Sequence, residues 1–453
     1  MKPRLLVFAL GLLGLCSMLA VGDDMASLIL FNGTVIPMTA EGDAYEAIAI
    51  RGNRILAVGQ DANLTALAGP NTQFIDLQGA VVYPGFIDAH THLLNDSWNA
   101  GISPIDSQAL ALRYGITMAA NMYTTSELLA DYLQMAQQGD MRVRFSLYLV
   151  YNTSCGDTLG HWYADQAPLR EIAPRLSIGG IKIFAETSVC GDDLIGISFT
   201  PELRPALSPA GTEWYGNHRP LFSQSELADV IRTVSQWGFP VAIHAIGDGG
   251  VQLSLDAIEQ ALDGRANALR HTILHNLFIR DDLLSRYADL GIVAAVESMT
   301  PCFVTFYRDL LLPEDLKPIV RRWGDLMATD AHVTADSDWP WCAEEAINPL
   351  FRLQALMSPI NHSQSYSAWE PCGLLPHDQL LTAWQGLRSM TAEAAFMLHR
   401  EEEVGTLEVG KLADLVVLSA DPLRTDVESL TDIDVLLTMV DGIIEYDSQM
   451  LDD

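Results

Sequence analysis

Between residues 84 and 399, short apolar runs alternate with helical patterns, and this rhythm constrains the fold more than any other feature of the chain. The runs are GFIDAH, GITMAANM, VRFSLYLV, GGIKIFAE, PVAIHAIG, HTILHNLF, GIVAAVES and MATDAHVTADSDW. Helices fit between them, for example SELLADYLQMAQQG and SELADVIRTVSQWG. Each of these opens on a serine read as the N-cap, Ser126 and Ser225, with a glutamate one residue later that suits the helix dipole. Eight β/α units in succession predict an α/β fold, a closed TIM-like (β/α)8 barrel. An open doubly wound sheet is the alternative, but no Gly-rich phosphate loop follows any of the runs.

The two ends of the chain read differently. SLILFNGTVIPM, EAIAIRGNRILAVG and QFIDLQGAVVYPG alternate apolar and polar residues and break at NG, GN and QG, which predicts antiparallel strands and turns. The same character returns only in GTLEVGKLADLVVLS and DIDVLLTMVDGIIEYD. One β-sandwich assembled from both termini is therefore expected, residues 23–83 with 400–453, around a barrel of residues 84–399.

MKPRLLVFALGLLGLCSMLAVGDD, at the N-terminus, joins a basic stretch (Lys2, Arg4) to an apolar run and a small-residue cleavage site. It predicts a signal peptide over residues 1–22, hence an exported chain without stable membrane insertion once cleaved. Five cysteines follow it, Cys155, Cys190, Cys302, Cys342 and Cys372; export permits disulfides, and Cys155 with Cys190 is one pairing that would brace the barrel mouth. A net charge of -32 argues against nucleic acid and anionic lipid as partners. A homo-oligomer is left open.

Polar residues recur at one end of the apolar runs. His90 and His92 stand one residue apart in PGFIDAHTHL, so in a strand both point the same way. Lys182 sits in the fourth run, His244 ends the fifth, His275 lies in the sixth, and Asp336 and Asp338 close the eighth. All would meet at the carboxyl-end mouth, where barrels build active sites. Imidazole and carboxylate ligands without clustered cysteines suit zinc or another divalent transition ion. A lysine ammonium has no acceptor for a metal, but a CO2-derived carbamate on Lys182 would bridge two ions. Asp338 could then serve as general base and acid.

PGFIDAHTHL, GGIKIFAE, FPVAIHAIGDGG, RHTILHNLF, ADSDWP and GTLEVGKLADLVVLSADP together resemble the metal-dependent amidohydrolase superfamily, in particular its subgroup containing N-substituted formamide deformylase. The resemblance implies a two-metal barrel in which His90, His92 and Asp338 bind one ion, His244 and His275 the other, and carboxylated Lys182 bridges them. It selects Asp338 over Asp336, because Asp338 precedes Trp-Pro. It also implies a hydrolase of a small amide-like substrate, attacked at a C–N bond by a metal-bound hydroxide. A mononuclear-metal deaminase and a catalytically silent binding homologue are the other two readings. Where relatives often have Asp-Gly-Ser after the lysine, this chain has Glu186-Thr187-Ser188, and the segment after His92 is short. Loop aromatics Trp214, Tyr215, Phe303, Trp339, Trp341 and Trp369 are expected to wall the substrate pocket, or else to pack the loops onto the barrel.

Overall fold

Strand follows strand around the molecule in chain order: β1 (Phe86–Thr91), β2 (Ile116–Thr124), β3 (Arg144–Val150), β4 (Leu176–Phe184), β5 (Val241–Ala245), β6 (Thr272–His275), β7 (Val293–Glu297) and β8 (Val333–Asp336). Each pairs in parallel with the next. This computed structural model describes residues 25–188, 197–201, 203, 220–297, 317–360 and 376–451. The first and last strands approach closure just beyond β8, where the Asp338 amide donates to the His90 carbonyl at 2.9 Å and the His92 amide to the Trp339 carbonyl at 2.8 Å. The result is a nearly closed (β/α)8 barrel, with a short extra strand, Glu171–Ala173, antiparallel to β4. Almost every strand residue is buried, as expected where helices cover the outer face.

The helices form where the apolar periodicity places them, but their caps differ from the serines read as starts. Helix α1 (Ser126–Gln138) is capped by Thr125, and α2 (Gln224–Gln236) by Ser223. The spacing explains the shift: the Ser223 hydroxyl accepts from the Glu226 amide, while the Glu226 carboxylate accepts from the Ser223 amide at 2.8 Å. A capping box needs its glutamate three residues after the cap, not one. Gly139 ends α1 in the left-handed conformation, φ 82°, which a glycine adopts without penalty.

Residues from both chain ends build two further sheets. One has the order Arg54–Gly59, Ala47–Arg51, Ala26–Phe31, Ala68–Asp76; the other runs Ile443–Asp447, Val435–Val440, Leu415–Leu418, Val81–Pro84, Thr34–Val35. Leu28, Leu30, Ile48, Ile50 and Ile55 of the first share one apolar core with Val82, Leu415, Val417, Leu437 and Met439 of the second. One strand departs from the antiparallel expectation. Ala68–Asp76 lies parallel to Ala26–Phe31, because it returns by way of the helical turns Asp61–Leu64 and Thr65–Leu67 rather than a hairpin. Ion pairs join the second of these sheets to the N-terminal end of the barrel: Arg144 to Asp414 at 3.1 Å, and Arg142 to Glu445 at 2.9 Å.

The leader residues 1–22 lie outside the described residues, as do Cys190, Cys302, Cys372, Trp214, Tyr215, Phe303 and Trp369. Cys155 is disulfide-bonded; its expected partner, Cys190, is among those residues not described.

Candidate active site

Parallel strands that all end at one mouth bring residues from distant sequence positions together there. Among the described residues, β1 delivers His90 and, just past its end, His92. Strand β4 delivers Lys182, β5 His244, β6 His275, β7 Glu297 and β8 Asp336, with Asp338 in the turn after it. Every one except Asp338 is buried. His90, His92, Lys182, His244, His275 and Asp338 all line a single cavity of about 370 Å³, which also has Tyr123, Phe184, Glu297, Trp341 and Cys342 in its wall.

The first two histidines converge on one carboxylate. His90 Nε2 lies 3.2 Å and His92 Nε2 3.3 Å from the same Asp338 oxygen. The His275 ring packs against His244 at 4.3 Å and against His90 at 5.1 Å between centroids, so the imidazoles form one contiguous group. Lys182 is wholly enclosed, its Nζ 5.0 Å from the centre of the Phe184 ring. Burial draws its pKa down to about 7, against the pull of the Asp338 and Asp336 carboxylates. His90, His244 and His275 are held well below the ordinary imidazole range, first by burial and then by the Lys182 charge and the neighbouring imidazoles, His92 among them.

Backbone geometry at the mouth is strained. His275 has φ 74° and Asp338 φ 45°, in the left-handed region that L-residues avoid. Such residues cost about 1–3 kcal/mol each and persist where the surroundings over-determine them, a pattern concentrated at functional sites. At Asp338 the surroundings are clear. Buried Asp88 accepts from the Ser337 amide at 3.0 Å and from the Ser337 hydroxyl at 2.6 Å, and is itself paired with buried Arg352 at 3.1 Å.

The donor set fits a divalent cation. His90 Nδ1 and Nε2, His244 Nε2 and His275 Nε2 are buried with no hydrogen bond. An unsatisfied buried polar atom costs about 1–3 kcal/mol, so a group of this kind is expensive unless something binds it. His90, His92 and Asp338 offer ligand atoms within 4.8 Å of one another, as do His90, His275 and Glu297, and Glu297, Asp338 and Cys342. Nitrogen and oxygen ligands of this kind suit zinc or a similar ion.

Some of the site was not singled out in the sequence. Glu297 is the last residue but one of the run GIVAAVES, and a carboxylate near the carboxyl end of an apolar strand run was the available signal. Cys342 carries no local signal, since only the fold brings it beside Glu297. Asp88 and Arg352 are 264 residues apart. Trp339 does not belong to the pocket wall: it is 1% exposed and packed in the main apolar core, and its backbone carbonyl accepts from the His92 amide. Trp341 does line the cavity and donates its indole N–H to Asp96 at 3.0 Å.

Glu186, the departure from Asp-Gly-Ser, has a structural use. Its buried carboxylate accepts from the amides of Ile246, of Gly247 at 3.1 Å and of Ser198 at 2.5 Å, and so holds the chain that follows His244. Gly250 of GDGG leaves room for it, since a Cβ there would lie 2.7 Å from the Glu186 carboxylate.

Comparison with known proteins places these observations. Residues 105–446 match the model of the amidohydrolase family. The N-substituted formamide deformylase of Arthrobacter pascens is 23% identical, with 94% of this chain and 99% of that protein aligned. The imidazolonepropionase of Symbiobacterium thermophilum is 26% identical over 82% of this chain and 83% of its own length. Among solved structures, an uncharacterized metal-dependent hydrolase from Pyrococcus furiosus superposes with a TM-score of 0.68 at 17% identity, covering 88% of this chain and all of that one.

Proposed function

Because the chain belongs to the amidohydrolase family, enzymes acting on carbon–nitrogen bonds other than peptide bonds, we propose that it is an exported hydrolase cleaving an amide-like C–N bond of a small molecule. The observation that carries this reading is the convergence of His90 and His92 on Asp338, beside buried His244, His275 and Lys182 in one cavity. In this reading His90, His92 and Asp338 hold one divalent ion, most naturally zinc, and His244 and His275 hold the other. Lys182, if carboxylated by CO2, would add carbamate oxygens to the ligand set. When bound, such ions polarise the scissile carbonyl and acidify water.

The chain's own groups do the rest. Asp338, less enclosed than its neighbours, faces the cavity, where its carboxylate takes a proton from the attacking water and returns it to the departing nitrogen. Phe184, Ile246 and Leu277 give the cavity apolar walls that limit competing water, and Tyr123 and Trp341 offer faces for an apolar substituent on the substrate. Export is supported by the basic-then-apolar stretch that begins at Lys2, and N-terminal mapping of protein recovered outside the cell tests it. No described helix is long and apolar enough to cross a membrane.

The test pairs metal content with turnover. Elemental mass spectrometry of the mature protein should find about two ions per chain, one for each set of ligands, with fewer in Lys182→Ala. A panel of N-formyl and N-acyl amides should be hydrolysed, and Asp338→Asn should lower kcat/KM by about 10²–10⁴-fold. One ion, indifferent to Lys182, together with ring deamination, would replace this reading with the mononuclear deaminase.

A further inference from the structure

Glu297 is the last residue of β7, paired across the sheet with Asp336 of β8, and it is buried at the cavity wall. One of its oxygens contacts His275 Nδ1. The other accepts from the Cys342 thiol at 3.5 Å, and Cys342 is a free cysteine, itself buried. The opposite nitrogen of the same imidazole, His275 Nε2, is buried without a hydrogen bond, its ring enclosed between His244 and His90.

We propose that Glu297 is a positioning residue for His275: its carboxylate holds the imidazole as the Nδ1–H tautomer, leaves the Nε2 lone pair for a divalent ion, and is itself kept in place by the Cys342 thiol. This rests on the metal-dependent reading of the site.

The chemistry of the groups leads there. A neutral imidazole has one N–H and one lone pair, and an ionised carboxylate accepts only, so the nitrogen that meets Glu297 is the one carrying hydrogen. Metal-ligating histidines in general donate their second N–H to a carboxylate or carbonyl, which fixes the ring and strengthens the ligand. Here the need is greater than usual. His275 sits at φ 74°, and β6 is only four residues long, so little backbone pairing holds the ring's direction. Glu297 also lies within ligand distance of the cavity's other donors. Direct ligation, however, would take an oxygen away from either the His275 nitrogen or the Cys342 thiol, and both oxygens are already engaged.

The experiment uses the full mature chain with ¹⁵N-labelled histidine. Long-range ¹H–¹⁵N spectra of the metal-free protein report the His275 tautomer, and titration with zinc against a chromophoric chelator reports the affinity of each ion. In wild type the Nδ1–H form is expected. In Glu297→Leu no side-chain oxygen accepts from Nδ1–H, so the Nδ1–H signature should be lost, and the more weakly held ion should lose about 10–100-fold in affinity while the other is unchanged. Glu297→Asp keeps an acceptor and should retain the tautomer with a smaller loss, which separates positioning from misfolding. An unchanged tautomer in Glu297→Leu overturns the proposal. So does outright loss of an ion with the tautomer intact, which would make Glu297 a direct ligand. If wild type binds no zinc at all, it is the hydrolase reading that fails, and the tautomer still decides the role of Glu297.

Discussion

The terminal sandwich and the barrel mouth are built from the same kinds of strand, yet they treat polar groups in opposite ways. Between the two small sheets the core is apolar, with Leu30, Ile48, Val82, Leu415 and Met439 shut away from water. At the mouth the residues are four histidines, a lysine and carboxylates, all but Asp338 enclosed, and His275 and Asp338 stand on left-handed backbone. In the sandwich local preference and packing agree; at the mouth they conflict, and the conflict is tolerated because the surrounding barrel holds it. Regions where a sequence breaks its own local rules tend to be the working ones.

Three measurements can break or sharpen that contrast. The largest effect is expected at the support of the mouth. Arg352→Met leaves the Asp88 carboxylate buried without its cation, and removing one partner of such a pair costs about 3–5 kcal/mol. Urea denaturation should show this loss, and metal content should fall with it, because Asp88 sets the Ser337 turn that presents Asp338. A loss of stability with full metal content would mean that the turn holds itself.

A second measurement concerns the opposite end of β6. His271 is fully enclosed, and burial lowers its pKa to about 4. Its Nδ1 accepts from the Val241 amide at 3.1 Å, a bond that needs the neutral ring. The folded state therefore resists a proton that the unfolded chain accepts near pH 6.5. The stability from this group is complete above pH 6.5 and is lost as pH falls toward 4, by at most about 1.4 kcal/mol per pH unit. His271→Asn should flatten the stability profile over that window; an unaltered slope would place the acid sensitivity elsewhere.

The smallest effect belongs to the sandwich. Ile48→Val removes one methylene from an apolar core and should cost about 0.5–1.5 kcal/mol. Zinc stoichiometry should not change. If it did, the sandwich would be coupled to the mouth, and the contrast between the two regions would not hold.

Much of this was legible in the chain. The eight apolar runs became eight parallel strands, and the H-x-H pair, Lys182, His244, His275 and Asp338 were visible because each sits at or near the end of such a run. The helix caps were misplaced because Ser126 and Ser225 looked like starts, while the bonding partner of a cap is decided three residues away. The parallel pairing of Ala68–Asp76 was not legible either, since alternation reports which face is buried but not the direction of a neighbour.

The periodicity of apolar residues, a local property of consecutive side chains, determined the barrel, and the residue types at the run ends determined what chemistry its mouth can support. Tertiary structure alone decided that Asp338 meets both histidines, that Arg352 compensates Asp88, that Trp339 is packing rather than pocket wall, and that Glu297 lies between His275 and Cys342. These are contacts between residues far apart in the chain, set by strand tilt and near-closure of the sheet, and no pattern along the sequence encodes such distances.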